Sequence, residues 1–266
     1  MMTHLFRALV IFSALILCLG CATRAQKAKE YNNRGVDFYH KGDYGNAMGE
    51  FQKALALEPA NADAHYNLGL IYFERRELDK AIEEYMKSVT VKDASPWAYL
   101  NLGIALAQKC SFDEAIGAYK EALKLEPRFP EAYNNMAVAL ENIGKMDEAV
   151  EAYRKASGLK PDYFEPLYNL GLLLQKKKEY KEAVNVFQKA HRVKPDEPYV
   201  YFNLACCCAL SGEKEKALTA LASAFDKGFE YPDIVEKYTP AFASLKKDKK
   251  FREIVQKARE KKGKKP

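Results

Sequence analysis

Six asparagines, Asn33, Asn67, Asn101, Asn135, Asn169 and Asn203, follow one another at intervals of 34 residues. A carboxamide both donates and accepts hydrogen bonds. A column of them can pair with the C=O and N–H groups of an extended chain laid along it, a chemistry that reads backbone and not side chains. The remaining reactive groups are scattered. Cys18 and Cys21 lie in an apolar N-terminal segment, Cys110 stands alone, and Cys206, Cys207 and Cys208 are consecutive. Neighbouring helical residues point about 100° apart, so these three cannot converge on one metal, and their spacing fits no zinc pattern. Cys208 reads as a small buried hydrophobe, and Cys206 is the thiol expected to be accessible. His40, His65 and His191 show no ligand or triad spacing, and no glycine-rich phosphate loop follows a strand. No catalytic residue, metal site or cofactor is expected, and the chain reads as a non-enzyme.

The elements that carry the asparagines follow from the same period. Ala47, Ala81, Ala115, Ala149, Ala183 and Ala217 are also 34 apart, which frames six repeats: 28–61, 62–95, 96–129, 130–163, 164–197 and 198–231. Within this frame position 8 is Gly35, Gly69, Gly103, Ala137, Gly171 and Ala205, and position 24 is Phe51, Tyr85, Tyr119, Tyr153, Phe187 and Leu221. Position 32 is Pro59, Asp93, Pro127, Pro161, Pro195 and Phe229. Each repeat has room for two helices, A at about positions 2–14 and B at about 18–31. Positions 4, 7, 8 and 11 make the i, i+3, i+4, i+7 stripe of a buried helix face, as in Tyr99, Leu102, Gly103 and Leu106. Small residues at positions 8 and 20 let paired helices approach, the ring at 24 fills the space between them, and proline at 32 ends helix B.

These columns resemble the tetratricopeptide family over 204 of the 266 residues. The resemblance implies an all-α, right-handed superhelical solenoid of six helix-turn-helix repeats with a C-terminal capping helix. Residues 232–260 are expected to form that cap, with Phe251, Ile254, Val255 and Ala258 as its buried stripe and 261–266 as a frayed basic tail. In this family helix A lines the concave surface, with positions 2, 5, 6, 9, 12 and 13 facing outward. The asparagines at position 6 resemble the asparagine ladder in the repeat domain of O-linked N-acetylglucosamine transferases. Tyr39, Tyr66, Phe73, Trp97 and Leu100, with Val36, Leu70, Ile104 and Val138, complete an expected apolar groove wall in repeats one to four. The family's clamp for a terminal carboxylate needs basic groups where this chain has Asn32, Val36, Trp97 and Asn101, so that use is not expected.

Ala8 to Leu19 is an apolar run, shorter than the ~20 residues of a membrane span. It reads as a signal segment, residues 1–20. Leu17 to Cys21 resembles a bacterial lipobox, with Cys18 departing from its aliphatic preference. The resemblance implies cleavage before Cys21 and lipidation there; the alternatives are an ordinary cleaved signal or an uncleaved anchor. By resemblance to Gram-negative lipoproteins, Ala22 and not Asp after the cysteine implies the outer membrane, facing the periplasm. The net charge of +6 is local: residues 245–266 hold eleven basic and three acidic groups, and the rest is balanced at −2 (31 basic, 33 acidic). No nucleic-acid partner is expected without a basic stripe on the folded body. The expected function is a scaffold at the bacterial envelope, anchored to the membrane by its N-terminal lipid and binding an extended segment of a protein partner. This is similar to the lipoproteins of type IV pilus assembly. The alternative is a substrate-recruiting accessory of an envelope glycosyltransferase or peptidoglycan enzyme. A contact between the basic tail and an anionic surface is a third use.

Overall fold

The computed structural model describes residues 23–91 and 95–263, without the side chain of Tyr238. The signal segment, Cys21, Asp93 and residues 264–266 lie outside the described residues. Among the described residues the fold is all-α, in two compact units that meet in sequence at Pro127 and Arg128. The first holds α1 (residues 23–40), α2 (Tyr44–Leu57), α3 (Ala62–Glu74), α4 (Leu78–Val89), α5 (Pro96–Gln108) and α6 (Phe112–Leu125). The second holds α7 (Pro130–Asn142), α8 (Met146–Leu159), α9 (Phe164–Lys176), α10 (Tyr180–Val193), α11 (Pro198–Leu210) and α12 (Lys214–Asp226). It ends with α13 (Pro232–Tyr238), a 3₁₀ turn at Pro240–Leu245 and α14 (Lys249–Gly263). Helices pack as successive A–B pairs, and each B helix packs on the next A helix of its unit. α2 to α12 start one position earlier than the spacing predicts and α1 starts already at residue 23; among the A helices, Asn61 and Ser95 cap α3 and α5 directly and proline occupies the first turn of α5, α7 and α11.

One turn joins A to B in every repeat. Position 15 is left-handed at Gly42, Arg76, Cys110, Gly144, Lys178 and Gly212, with φ between 61° and 82°. The next N–H then returns to the carbonyl five residues back, as in Glu77 to Tyr72 at 2.9 Å and Glu179 to Leu174 at 2.9 Å. This is the Schellman closure of a helix C-terminus. Inside each pair the ring at position 24 lies against position 8. A Cβ on Gly171 would come to 2.6 Å from Phe187, and Gly35, Gly69 and Gly103 are equally tight against Phe51, Tyr85 and Tyr119. The rings of Phe51, Tyr85, Tyr119, Tyr153 and Phe187 are fully buried. Burial drives the phenols of Tyr85, Tyr119 and Tyr153 far above their ordinary pKa, so they stay neutral.

Position 4 seals the seam between a repeat and its predecessor. His65 Nε2 lies 3.0 Å from the Pro59 carbonyl, and the hydroxyls of Tyr99 and Tyr201 donate to Val89 at 3.3 Å and Pro195 at 3.1 Å. The end of the second unit is closed by α14, which buries Phe251 and Val255 and leaves Ile254 and Ala258 half-buried. The expected frayed tail is corrected in part: α14 continues to Gly263, with Lys261 3.8 Å from Asp226.

Candidate protein-interaction surface

The asparagine column is not uniformly presented. Asn33 is exposed, Asn67, Asn101, Asn135 and Asn169 are half-buried, and Asn203 is 9% exposed. Three of the amides donate to position 5 of the preceding repeat: Asn67 to Asn32 at 3.0 Å, Asn101 to the Tyr66 hydroxyl at 2.9 Å, and Asn203 to the Tyr168 hydroxyl at 3.1 Å. Asn169 bonds the Tyr153 hydroxyl instead. Burial raises the pKa of Tyr66 and Tyr168, so both phenols remain neutral acceptors. One part of each bonded carboxamide therefore knits its own array together. A residue of modest helix propensity is retained there with a packing role that sequence alone does not display.

Position 5 differs from expectation. It does not face outward: Asn32, Leu100 and Asn134 are buried, Leu100 at 3% exposure. Leu100 is thus a core residue and leaves the candidate groove. For Asn32 the reason is the contact just described, since its side chain lies where Asn67 of the next repeat arrives. Tyr39, Tyr66 and Phe73, with Val36 and Leu70, are half-buried and pack against the cores of the first unit. Trp97 remains open at 49% exposure.

The exposed apolar side chains extend further along the chain than expected. Among the described residues, five of the nine large exposed hydrophobics sit on A helices at positions 2, 9 or 13: Trp97, Val138, Leu172, Tyr199 and Leu210. Leu172, Tyr199 and Leu210 were reachable by following the outward positions through repeats five and six. Four of the five, Val138, Leu172, Tyr199 and Leu210, belong to the second unit. Lys176 stands 3.7 Å from Glu141, and the neighbouring Lys177 pairs with Asp147 at 2.6 Å. Such a surface suits an apolar extended segment better than a charged one.

Cys206 is a correction. It is 2% exposed, and burial together with Cys207 drives its thiol pKa far up, so it carries no thiolate. Cys207 and Cys208 are buried as well, with burial raising their thiols to about 12 and about 11. Cys110 is the exposed thiol among the described residues, at the left-handed turn position. Among the described residues no group of three His, Cys, Asp or Glu side chains is placed to hold a metal. His65 bonds Glu84 through Nδ1 at 2.6 Å, a structural pair inside the first unit.

Residues 20–238 match the family model for the C-terminal domain of cilia and flagella-associated protein 70. No curated protein matches the chain significantly. Among solved structures, MamA is 30% identical over 60% of this chain and 94% of its own, with a TM-score of 0.58. PilF of Pseudomonas aeruginosa is 19% identical over 88% of this chain and 99% of its own, with a TM-score of 0.65. YrrB, described as a TPR protein with an unusual peptide-binding site, is 22% identical over 64% of this chain and 88% of its own, with a TM-score of 0.57. With the six-fold helix pairs, the sealed seams and a family match that spans the array, the chain belongs to the tetratricopeptide-repeat family, in the branch of the cilia and flagella-associated protein 70 C-terminal domain.

Proposed function

We propose that this protein is an envelope scaffold that holds an extended segment of a partner protein against the open face of its A helices. The observation that carries the reading is the recurrence of exposed apolar side chains at positions 2, 9 and 13 of those helices, where the fold does not require them. Arrays of this family present extended binding surfaces built from one face of successive repeats. YrrB is itself described as having a peptide-binding site, which supports the same use here. The fold likeness to PilF over most of both chains supports the same repeat architecture. Anchoring by a lipid at Cys21 rests on the lipobox-like residues Leu17 to Cys21.

A photocrosslinking residue at Leu172 in living cells tests the surface, with Glu151 on α8 as the control. Capture of a distinct protein at Leu172 and not at Glu151 is expected. The same background at both positions would remove the proposal. The identity of the captured protein separates a structural assembly partner from an enzyme served by an accessory. Cys21→Ser tests the anchor: the protein should move from the membrane fraction to the soluble one, and an unchanged distribution would defeat the lipid reading.

A further inference from the structure

The ring at position 4 is missing once. The column reads Tyr31, His65, Tyr99, Tyr133, Leu167 and Tyr201, and leucine is its single residue without a ring. Where His65, Tyr99 and Tyr201 reach back to a carbonyl at the end of the preceding B helix, Leu167 has nothing to donate. A groove of about 600 Å³ opens there, between the B helices α8 and α10 and above α9. That volume lies within the range of roughly 300–1,000 Å³ occupied by ligand sites.

The groove has a composed lining. Leu167, Leu170 and Val186 form an apolar floor, and the turn at Pro161, the counterpart of Pro59 and Pro195, borders it. Gly158 stands in its wall, and a Cβ placed on it would meet nothing within 4 Å. The rim is cationic, with Arg154, Lys189 and Arg192. Glu182 is the acidic residue of the lining, and it is held by Arg154 at 2.6 Å. Lys189 and Arg192 are exposed and form no ion pair among the described residues. Between α4 and α6 the counterparts of Arg154 and Lys189 are Met86 and Glu121, so that seam lacks the cationic pair. A missing ring, a vacated carbonyl neighbourhood and two uncompensated cations define the shape and charge of what fits.

We propose that this groove binds an acidic segment of a partner protein that inserts a tyrosine. Its ring occupies the space of the absent position-4 aromatic and its hydroxyl donates to the carbonyl of Pro161, as Tyr201 does to Pro195. Carboxylates beside the tyrosine pair with Lys189 and Arg192. Aromatic anchors in desolvated pockets carry most of the affinity of such contacts, and the charged rim sets orientation and on-rate. The groove lies on the B-helix side of α9, so it is independent of the A-helix surface and can be occupied together with it.

The probe is a fluorescein-labelled Glu-Glu-Tyr-Glu-Glu peptide, titrated against the full chain by fluorescence anisotropy. Saturable binding that weakens as salt is added is expected. Leu167→Tyr restores the residue type of the neighbouring repeats and fills the groove; it should fold with an unchanged or higher Tm and bind at least about tenfold more weakly. Lys189→Glu with Arg192→Glu should do the same, and a Glu-Glu-Ala-Glu-Glu peptide should not bind. Leu172→Ala, on the A-helix surface, should leave the affinity unchanged. No saturable binding, equal affinity for the tyrosine and alanine peptides, or full affinity in Leu167→Tyr would each overturn the proposal. Displacement of the peptide by phosphatidylglycerol vesicles, lost in Leu167→Tyr, would assign the groove to lipid and overturn it too.

Discussion

At Gly103 a methyl group would fall inside van der Waals contact of the buried Tyr119 ring. Gly103→Ala is expected to cost ~1–3 kcal/mol through overpacking, read as a lower midpoint in urea. Repeat four already carries Ala137 with Tyr153 at position 24, so a methyl group is compatible with the repeat where the pair has been set for it. The cost at Gly103 therefore belongs to a packed ring that must move, and not to the helix. His65 makes a prediction of a different kind. Its hydrogen bond to Glu84 outweighs burial and raises its pKa above the ordinary 6.5. Burial pushes Glu84 up, but its hydrogen bonds to His65 and Lys87 prevail and lower it. A histidine with a raised folded pKa contributes stability in full below its unfolded value and loses it as pH rises through the folded value. The Tm of the wild type should therefore fall as the pH rises above the ordinary histidine value of about 6.5, and His65→Gln should flatten that slope. An identical slope in both proteins would show that another group titrates. Cys206 belongs to this scale as well: the native protein should show one fast-reacting thiol in the body of the chain, Cys110, with Cys206 to Cys208 reacting only after unfolding.

The turn between helices A and B repeats six times with two solutions to one backbone demand. Gly42, Gly144 and Gly212 take a left-handed φ at no steric penalty, whereas Arg76, Cys110 and Lys178 bear it with a side chain. A left-handed residue other than glycine carries a strain of roughly 1–2 kcal/mol. Part of the relief on substitution is returned because glycine loosens the unfolded chain. Lys178→Gly should raise the unfolding free energy by about 0.5–1 kcal/mol, and Gly212→Ala should lower it by about 1 kcal/mol or more. Urea midpoints of the two variants check both signs; a stabilised Gly212→Ala would contradict the geometry. Surface ion pairs such as Lys177 with Asp147 and Lys109 with Asp79 recur beside these turns, but their exposed partners limit what each contributes. The turn position was invisible as a column, since glycine, arginine, cysteine and lysine share no property except tolerance of that conformation under tertiary pressure.

For the whole molecule, nearest-neighbour stacking makes the ends the weakest places. In the second unit α14 covers the last pair with Phe251 and Val255. Phe251→Ala should cost about 3–5 kcal/mol locally and release α14, read as faster amide exchange in α11 and α12 while α7 and α8 stay protected. Uniform loss of protection would mean that the unit unfolds as one body. In the first two repeats position 23 holds glutamates, Glu50 between Arg34 and Lys53 and Glu84 beside His65, where the next three repeats carry Ala118, Ala152 and Val186.

The sequence by itself determined the period, the helix pairs, the small-against-large packing columns and the final amphipathic helix. Each of these depends on spacing along the chain, and a 34-residue register expresses spacing directly. Tertiary structure decided which polar and apolar groups remain available. Asn67, Asn101 and Asn203 look like free ligands in the sequence, yet they donate to the preceding repeat; Leu100 and Cys206 look outward-facing, yet they are buried. Those outcomes depend on what the neighbouring repeat places opposite each residue, a pairing at a distance of 35 residues that helical periodicity does not encode. The same rule opens the groove at Leu167: one missing ring matters only because the fold brings Pro161, Lys189 and Arg192 around the space it leaves.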